Sequence, residues 1–108
     1  MNKRNWKAFE LPEIFDEIYM GKSSDSGNLE IGSVPLIGRS ANHNGYENNY
    51  NISHTKIDQA PLITVGLIGK STAFYQEFDL ATSQNILILK HKKLNKQNGL
   101  FLVNSINH

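Results

Sequence analysis

The sequence predicts a small α+β domain: a small twisted β-sheet of short strands, with few short helices and long polar loops. Three observations predict this class. The 108 residues fit one domain, which we place at 1–108. Short apolar and β-branched runs recur between segments rich in glycine and asparagine. Only residues 12–15 and 98–106 have features of a helix, so strands are expected to outnumber helices.

Two strands and a helical turn are predicted near the N-terminus. Alternating apolar and polar residues predict a strand at 6–11. Pro12 then suits the first position of a helical turn that runs to residue 15. Residues 16–20 form the second predicted strand, which ends in a turn at Gly21 and Lys22.

Polar segments dominate the next part of the chain. Residues 22–33 are expected to be a loop, because small polar residues and glycine leave little apolar surface to anchor them. Residues 34–38 form a short strand, and Pro35 places it at a sheet edge or a strand start. Residues 39–51 are expected to be a polar loop that contains the turn dipeptide Asn44-Gly45.

The clearest core elements lie in the second half. Residues 60–69 are nearly continuously apolar and predict a buried strand that runs into a tight turn. Residues 73–75 are a short partner strand, residues 86–89 a second buried strand, and residues 90–96 a basic turn. The helix expected at 98–106 has an apolar stripe, although it contains a glycine at position 99: Leu102, Val103 and Ile106.

Composition narrows the function classes. Cysteine is absent, which excludes disulfide scaffolds, thiolate zinc sites and cysteine nucleophiles. A formal net charge of +1 neither demands nor excludes nucleic acid, so a DNA-binding domain would need clustered positive charge or have modest affinity. The basic N-terminus is not followed by an apolar run, and no apolar run approaches the roughly 20 residues that span a bilayer. We therefore expect a cytoplasmic protein without a membrane partner.

Four stretches together resemble a known family. They are residues 6–22; residues 34–40 with Asn44-Gly45; residues 63–66 and Gly69 with residues 73–75; and residues 81–83 and 85–89 before Leu100-Phe101-Leu102. In order and spacing they resemble the target-recognition domain of type I restriction–modification specificity subunits, which also occurs fused to type II enzymes. The resemblance implies recognition of double-stranded DNA, no catalytic residues and no cofactor. It implies a methyltransferase partner and possibly restriction subunits. The coiled-coil spacer helices of the family are expected to be absent, because the chain stops at His108.

Two groups of residues are candidates for contacting DNA. Arginine suits guanine, glutamine and asparagine suit adenine, and lysine and hydroxyl groups suit phosphate oxygens. The candidate base-reading residues are Arg39, Ser40, Asn42, His43, Gln76 and Gln84. The candidate phosphate-binding residues are Lys22, Lys70, Ser71, Thr82, Ser83, Lys90, Lys92 and Lys93. These residues also have alternative interpretations. The small polar residues could simply form turns, Arg39 could pair with a carboxylate, and the lysines could form a solvated face. The DNA hypothesis predicts positive potential over the lysines and Arg39 on one concave face.

Other activities have weaker support. Gly66 and Gly69 are too close together for the phosphate loop of a nucleotide triphosphatase, although Lys70-Ser71 follow. The four histidines lack metal spacing, so no metal site is predicted. Two alternatives remain open. A protein-interaction or decoy module would show an exposed apolar patch and no coherent basic face. A small hydrolase would show a deep pocket lined by histidine and carboxylates with perturbed pKa values.

Overall fold

The computed structural model describes residues 14–68 and 72–107, and this part of the chain has an α+β fold. Within these ranges, seven strands form two sheets, and one α-helix follows them. The elements are β1 (Glu17–Met20), β2 (Ile31–Ile37), β3 (Tyr46–Tyr50), β4 (Leu62–Gly66), β5 (Thr72–Gln76), β6 (Ala81–Thr82), β7 (Ile86–Lys90) and α1 (Lys96–Asn107). The strand expected at 6–11 and the start of the turn at Pro12 lie outside the described residues. The predicted fold class is confirmed, with the strands divided between two sheets.

The first sheet has the strand order β1-β7-β4-β5 and is antiparallel throughout. Its central strand β4 is buried at every position, which explains why its sequence is almost continuously apolar. Ile63 and Val65 pack on the side of α1, whereas Leu62 belongs to a cluster on the opposite side with Ile37 of the second sheet. The first sheet is therefore the middle layer of the domain.

The second sheet has the order β3-β2-β6. β2 pairs with β3 in antiparallel fashion and with β6 in parallel fashion. Two of the loop predictions are wrong here: Ile31 already belongs to β2, and residues 46–50 form β3. β3 has the polar sequence Tyr-Glu-Asn-Asn-Tyr because it is an edge strand whose side chains are mostly exposed.

The helix α1 covers β5 and is fixed at both ends. Asn95 Oδ1 accepts from Asn98 N (3.0 Å) while Asn98 Oδ1 accepts from Asn95 N (2.8 Å), a reciprocal N-terminal cap. At the other end, Asn107 Nδ2 donates to Ala73 O and Asn107 Oδ1 accepts from Ala73 N. Gly99 is buried, and a Cβ at this position would overlap the ring of Tyr75. The glycine that weakened the helix prediction therefore permits the helix to pack.

No helix among the described residues is long and apolar enough to cross a membrane.

Candidate functional site

Four of the predicted DNA-contacting residues meet in one open cleft of about 460 Å³. Arg39 and Ser40 come from the loop after β2, and Ser83 and Gln84 come from the turn between β6 and β7. The sequence analysis missed the other three lining residues, Ser24, Asp25 and Glu47. All seven are polar or charged, so the cleft suits a ligand that is recognised through hydrogen bonds and charge.

The backbone holds Arg39 close to the end of the first sheet. Gly38 N donates to Gly45 O (2.8 Å), which closes the base of the loop. The loop then passes directly over Gly66 at the end of β4, where a Cβ would lie 3.3 Å from Arg39 Cα. A larger residue at position 66 would push this backbone outwards. The close approach therefore fixes where the Arg39 side chain begins.

Ser83 and Gln84 are placed at the same end of the sheet by backbone hydrogen bonds. Ser83 N donates to Ile37 O (2.9 Å), so the second loop lies beside the end of β2. Leu67 N donates to Asn85 O (3.0 Å), which joins the end of β4 to the start of β7. The Asn85 φ of 63° makes the tight turn into β7. Two distant segments of the chain are thus held together by regular structure.

Charges of both signs line the cleft. Asp25 uses both carboxylate oxygens locally, accepting from Gly27 N and from Asn28 Nδ2 at 3.0 Å each. Arg39 and Glu47 have no hydrogen-bond or ion-pair partner among the described residues, where the only ion pair within 4.0 Å joins Lys96 and Glu77. Arg39 therefore does not pair with a carboxylate of the described residues, as the alternative interpretation required. The carboxylate of Glu47 instead lies over Gly38, where a Cβ would overlap its Oε2.

Gln76 is not available to read a base, so this prediction is wrong. Only 5% of the residue is exposed, and both ends of its amide are bonded. Nε2 donates to Asn44 O (2.9 Å) and Thr64 Oγ1 (3.1 Å), and Oε1 accepts from Asn44 Nδ2 (3.0 Å). Asn44 also donates to Tyr75 O (3.1 Å). Through its hydrogen bonds to Asn44, Gln76 therefore stabilises the loop that carries Arg39.

Asn42 and His43 lie on the exposed part of that loop but do not line the cleft. Asn42 N donates to Ser40 Oγ (3.1 Å). His43 and Asn44 have φ values of 53° and 59°, so the chain turns sharply here, and the predicted Asn-Gly turn is confirmed.

Thr82 is also wrong as a phosphate contact. It is 1% exposed, and its Oγ1 is buried without a hydrogen-bond partner in the described part of the chain. Its side chain packs against Gly21, where a Cβ would overlap Oγ1. Phosphate oxygens cannot reach a hydroxyl in this position.

Three of the predicted lysines lie at the opposite end of β7 from the cleft. Gln84 precedes β7 whereas Lys90, Lys92 and Lys93 are at or beyond its end, so the strand separates them by roughly 13 Å or more. Acidic residues also flank this group. Glu17 is the cross-strand partner of Lys90, and Asp16 Oδ2 accepts from Lys92 N (2.8 Å). These three lysines therefore lie apart from the cleft, and the single concave basic face stays a prediction.

Lys22 lies nearer the cleft. It follows Gly21, whose N–H donates to Ile86 O at the start of β7, and its Nζ donates to Thr55 O (3.0 Å). Lys70 and Ser71 lie outside the described residues.

The cleft does not have the lining that was predicted for a small hydrolase. The cleft contains two carboxylates but no histidine, and no group of three acidic or histidine residues is placed to hold a metal ion. The groups with raised pKa values lie elsewhere. Burial, followed by the hydrogen bond that Tyr19 donates to Asp58 Oδ1 (2.8 Å), raises the pKa of Tyr19, and burial raises that of Tyr75. Neither residue lines the cleft.

No protein-family model and no curated protein matches this chain.

Proposed function

We propose that this chain is a non-catalytic DNA target-recognition domain, which acts in the cytoplasm and reads a short duplex sequence for a methyltransferase and possibly a restriction subunit. The supporting observation is the cleft in which Arg39, Ser40, Ser83 and Gln84 meet. Base reading requires several donors and acceptors held in fixed relative positions. Here the end of a buried sheet provides the support and two short loops provide the side chains.

The chemistry of these four side chains covers the major-groove edges of the bases. A guanidinium donates to guanine O6 and N7, an amide pairs with adenine N6 and N7, and serine hydroxyls bond to bases or phosphates. Arg39 has no intramolecular partner among the described residues that a base would have to displace. A free and well-placed guanidinium supports recognition of an external acceptor.

The charge distribution sets the expected affinity. Phosphate contacts supply most of the salt-dependent attraction to DNA, and each of them needs a cation near the backbone. Three of the predicted phosphate-binding lysines lie at the far end of β7, whereas Lys22 lies at the end of β7 that is next to the cleft. We therefore expect weak binding by the chain alone and tighter binding in the presence of the methyltransferase.

The test is a binding selection against randomised duplex DNA, with and without a cognate methyltransferase. The wild-type protein should enrich one short motif, and Arg39→Ala should lose the preference at one guanine in it. Lys92→Ala is the matched control, because it removes a cation outside the cleft and should leave the motif unchanged. Failure of the wild-type protein to enrich any motif, or an unchanged motif with Arg39→Ala, would contradict the proposal.

A protein-interaction or decoy module is the second candidate. The observation that favours it is an exposed apolar pair on α1, where Leu100 is 51% and Phe101 is 70% exposed, together with the divided basic residues. This function predicts that the chain binds the methyltransferase and enriches no DNA motif. It also predicts that Phe101→Ser abolishes that binding, whereas Arg39→Ala does not.

A further inference from the structure

Two of the three charged side chains in the cleft have no partner in the part of the chain that the structure describes, and they carry opposite charges. Asp25 is occupied within its own turn, whereas the guanidinium of Arg39 and the carboxylate of Glu47 are not bonded to other described residues. Both are exposed and line the same cleft. The cleft therefore offers an external ligand both a strong donor group and a strong acceptor group.

Arg39 and Glu47 both belong to the hairpin of β2 and β3. Because the two strands are antiparallel and Ile37 is the cross-strand partner of Tyr46, Arg39 lies on the loop side of this pair and the backbone of Glu47 lies on the other side. The carboxylate of Glu47 lies against Gly38, the residue before Arg39. The Glu47 side chain thus extends back towards Arg39, and the two charged groups line one cleft without an ion pair within 4.0 Å.

This pair of groups matches the major-groove edge of one base pair and not that of the other. A G·C pair presents guanine N7 and O6 as two neighbouring acceptors, followed by the cytosine N4 amino donor. The parallel N–H groups of a guanidinium bond to the two acceptors, and a carboxylate bonds to the donor. An A·T pair breaks this order, because the adenine N6 amino donor lies between two acceptors.

We propose that Arg39 and Glu47 together read one G·C base pair, with Arg39 bonded to guanine and Glu47 to the cytosine paired with it. This inference rests on the proposed function, since it specifies what the same cleft recognises.

The test compares wild-type protein, Arg39→Ala and Glu47→Gln in the duplex selection. It then measures the Kd of each protein for the enriched duplex and for the same duplex with the G·C pair exchanged for A·T. Glu30→Gln is the matched control, because Glu30 is an exposed carboxylate outside the cleft. Wild-type protein and Glu30→Gln should discriminate between the two duplexes about five- to 150-fold. Arg39→Ala and Glu47→Gln should each lose most of this discrimination at the same base pair, while circular dichroism shows an unchanged fold.

An enriched motif to which Glu47→Gln binds with unchanged preference at every position would overturn the inference. So would a motif in which the two variants relax different base pairs. Both outcomes would leave the proposed function intact, whereas the absence of any motif with wild-type protein would contradict that function itself.

Discussion

Replacing Gln76 by leucine tests whether this residue supports the fold or reads DNA. Leucine has a similar size but removes three hydrogen bonds, two made by Nε2 and one accepted by Oε1. A buried hydrogen bond contributes about 1 kcal/mol net, so the sum is about 3 kcal/mol. Thr64 Oγ1 and Asn44 O then lose the amide that donates to them, while Asn44 Nδ2 keeps its bond to Tyr75 O. We expect the free energy of unfolding to fall by about 3 kcal/mol.

Urea denaturation followed by far-UV circular dichroism measures this change. With a slope of about 1–3 kcal/mol/M, the unfolding midpoint should fall by about 1–3 M. Gln84→Leu is the matched control, since Gln84 is exposed in the cleft, and it should alter the free energy of unfolding by no more than about 0.5 kcal/mol. The reasoning is refuted if Gln76→Leu has wild-type stability and changes the base preference, because Gln76 would then be a reader.

Two further predictions concern the core. Gly99→Val should destabilise the protein by at least about 2 kcal/mol in the same assay, because its side chain would overlap the ring of Tyr75; wild-type stability would show that α1 does not pack as described. Tyr19→Phe removes the hydrogen bond donated to Asp58 and should cost about 1–3 kcal/mol at neutral pH. The raised pKa of Tyr19 also means that its hydroxyl contributes fully to the free energy of unfolding below about pH 10. This contribution is lost as the pH rises above 10, because the unfolded state releases the phenolic proton first. The stability difference between wild-type protein and Tyr19→Phe should therefore shrink above pH 10, and a constant difference would contradict this explanation.

The buried elements could be predicted from the sequence because their own composition specifies them. Residues 62–66, apart from Thr64, and residues 86–89 are apolar on both faces, and this pattern arises when a strand lies between two layers. β3 could not be predicted in this way. Its polar residues form a strand only because they pair with β2, so their own sequence does not specify a strand.

The candidate site was predicted in part. Arg39 and Gln84 were placed in exposed loops correctly, because each follows or precedes an apolar strand. Gln76 and Gln84 are the same residue type next to strands, and the difference between them depends on Asn44, which lies 32 residues away from Gln76 in the sequence. No local pattern distinguishes them.

The separation of Gln84 from Lys90 can be predicted from the sequence. Residues 84 and 90 flank a predicted strand, and a strand places the residues before and after it at opposite ends. Glu47 was missed because β3 was not predicted. If residues 46–50 are taken as a strand, the alternation of side chains places Glu47 on the face opposite the two tyrosines.

The location of the DNA contact is the most direct test of the proposed function. Amide chemical shifts of ¹⁵N-labelled protein should be followed during titration with the duplex that the selection enriches. Changes concentrated at Arg39, Ser40, Ser83 and Gln84 are the predicted result. Changes centred on Leu100 and Phe101, or on residues 90–93 with the cleft unaffected, would contradict the assignment of the cleft as the DNA-reading surface.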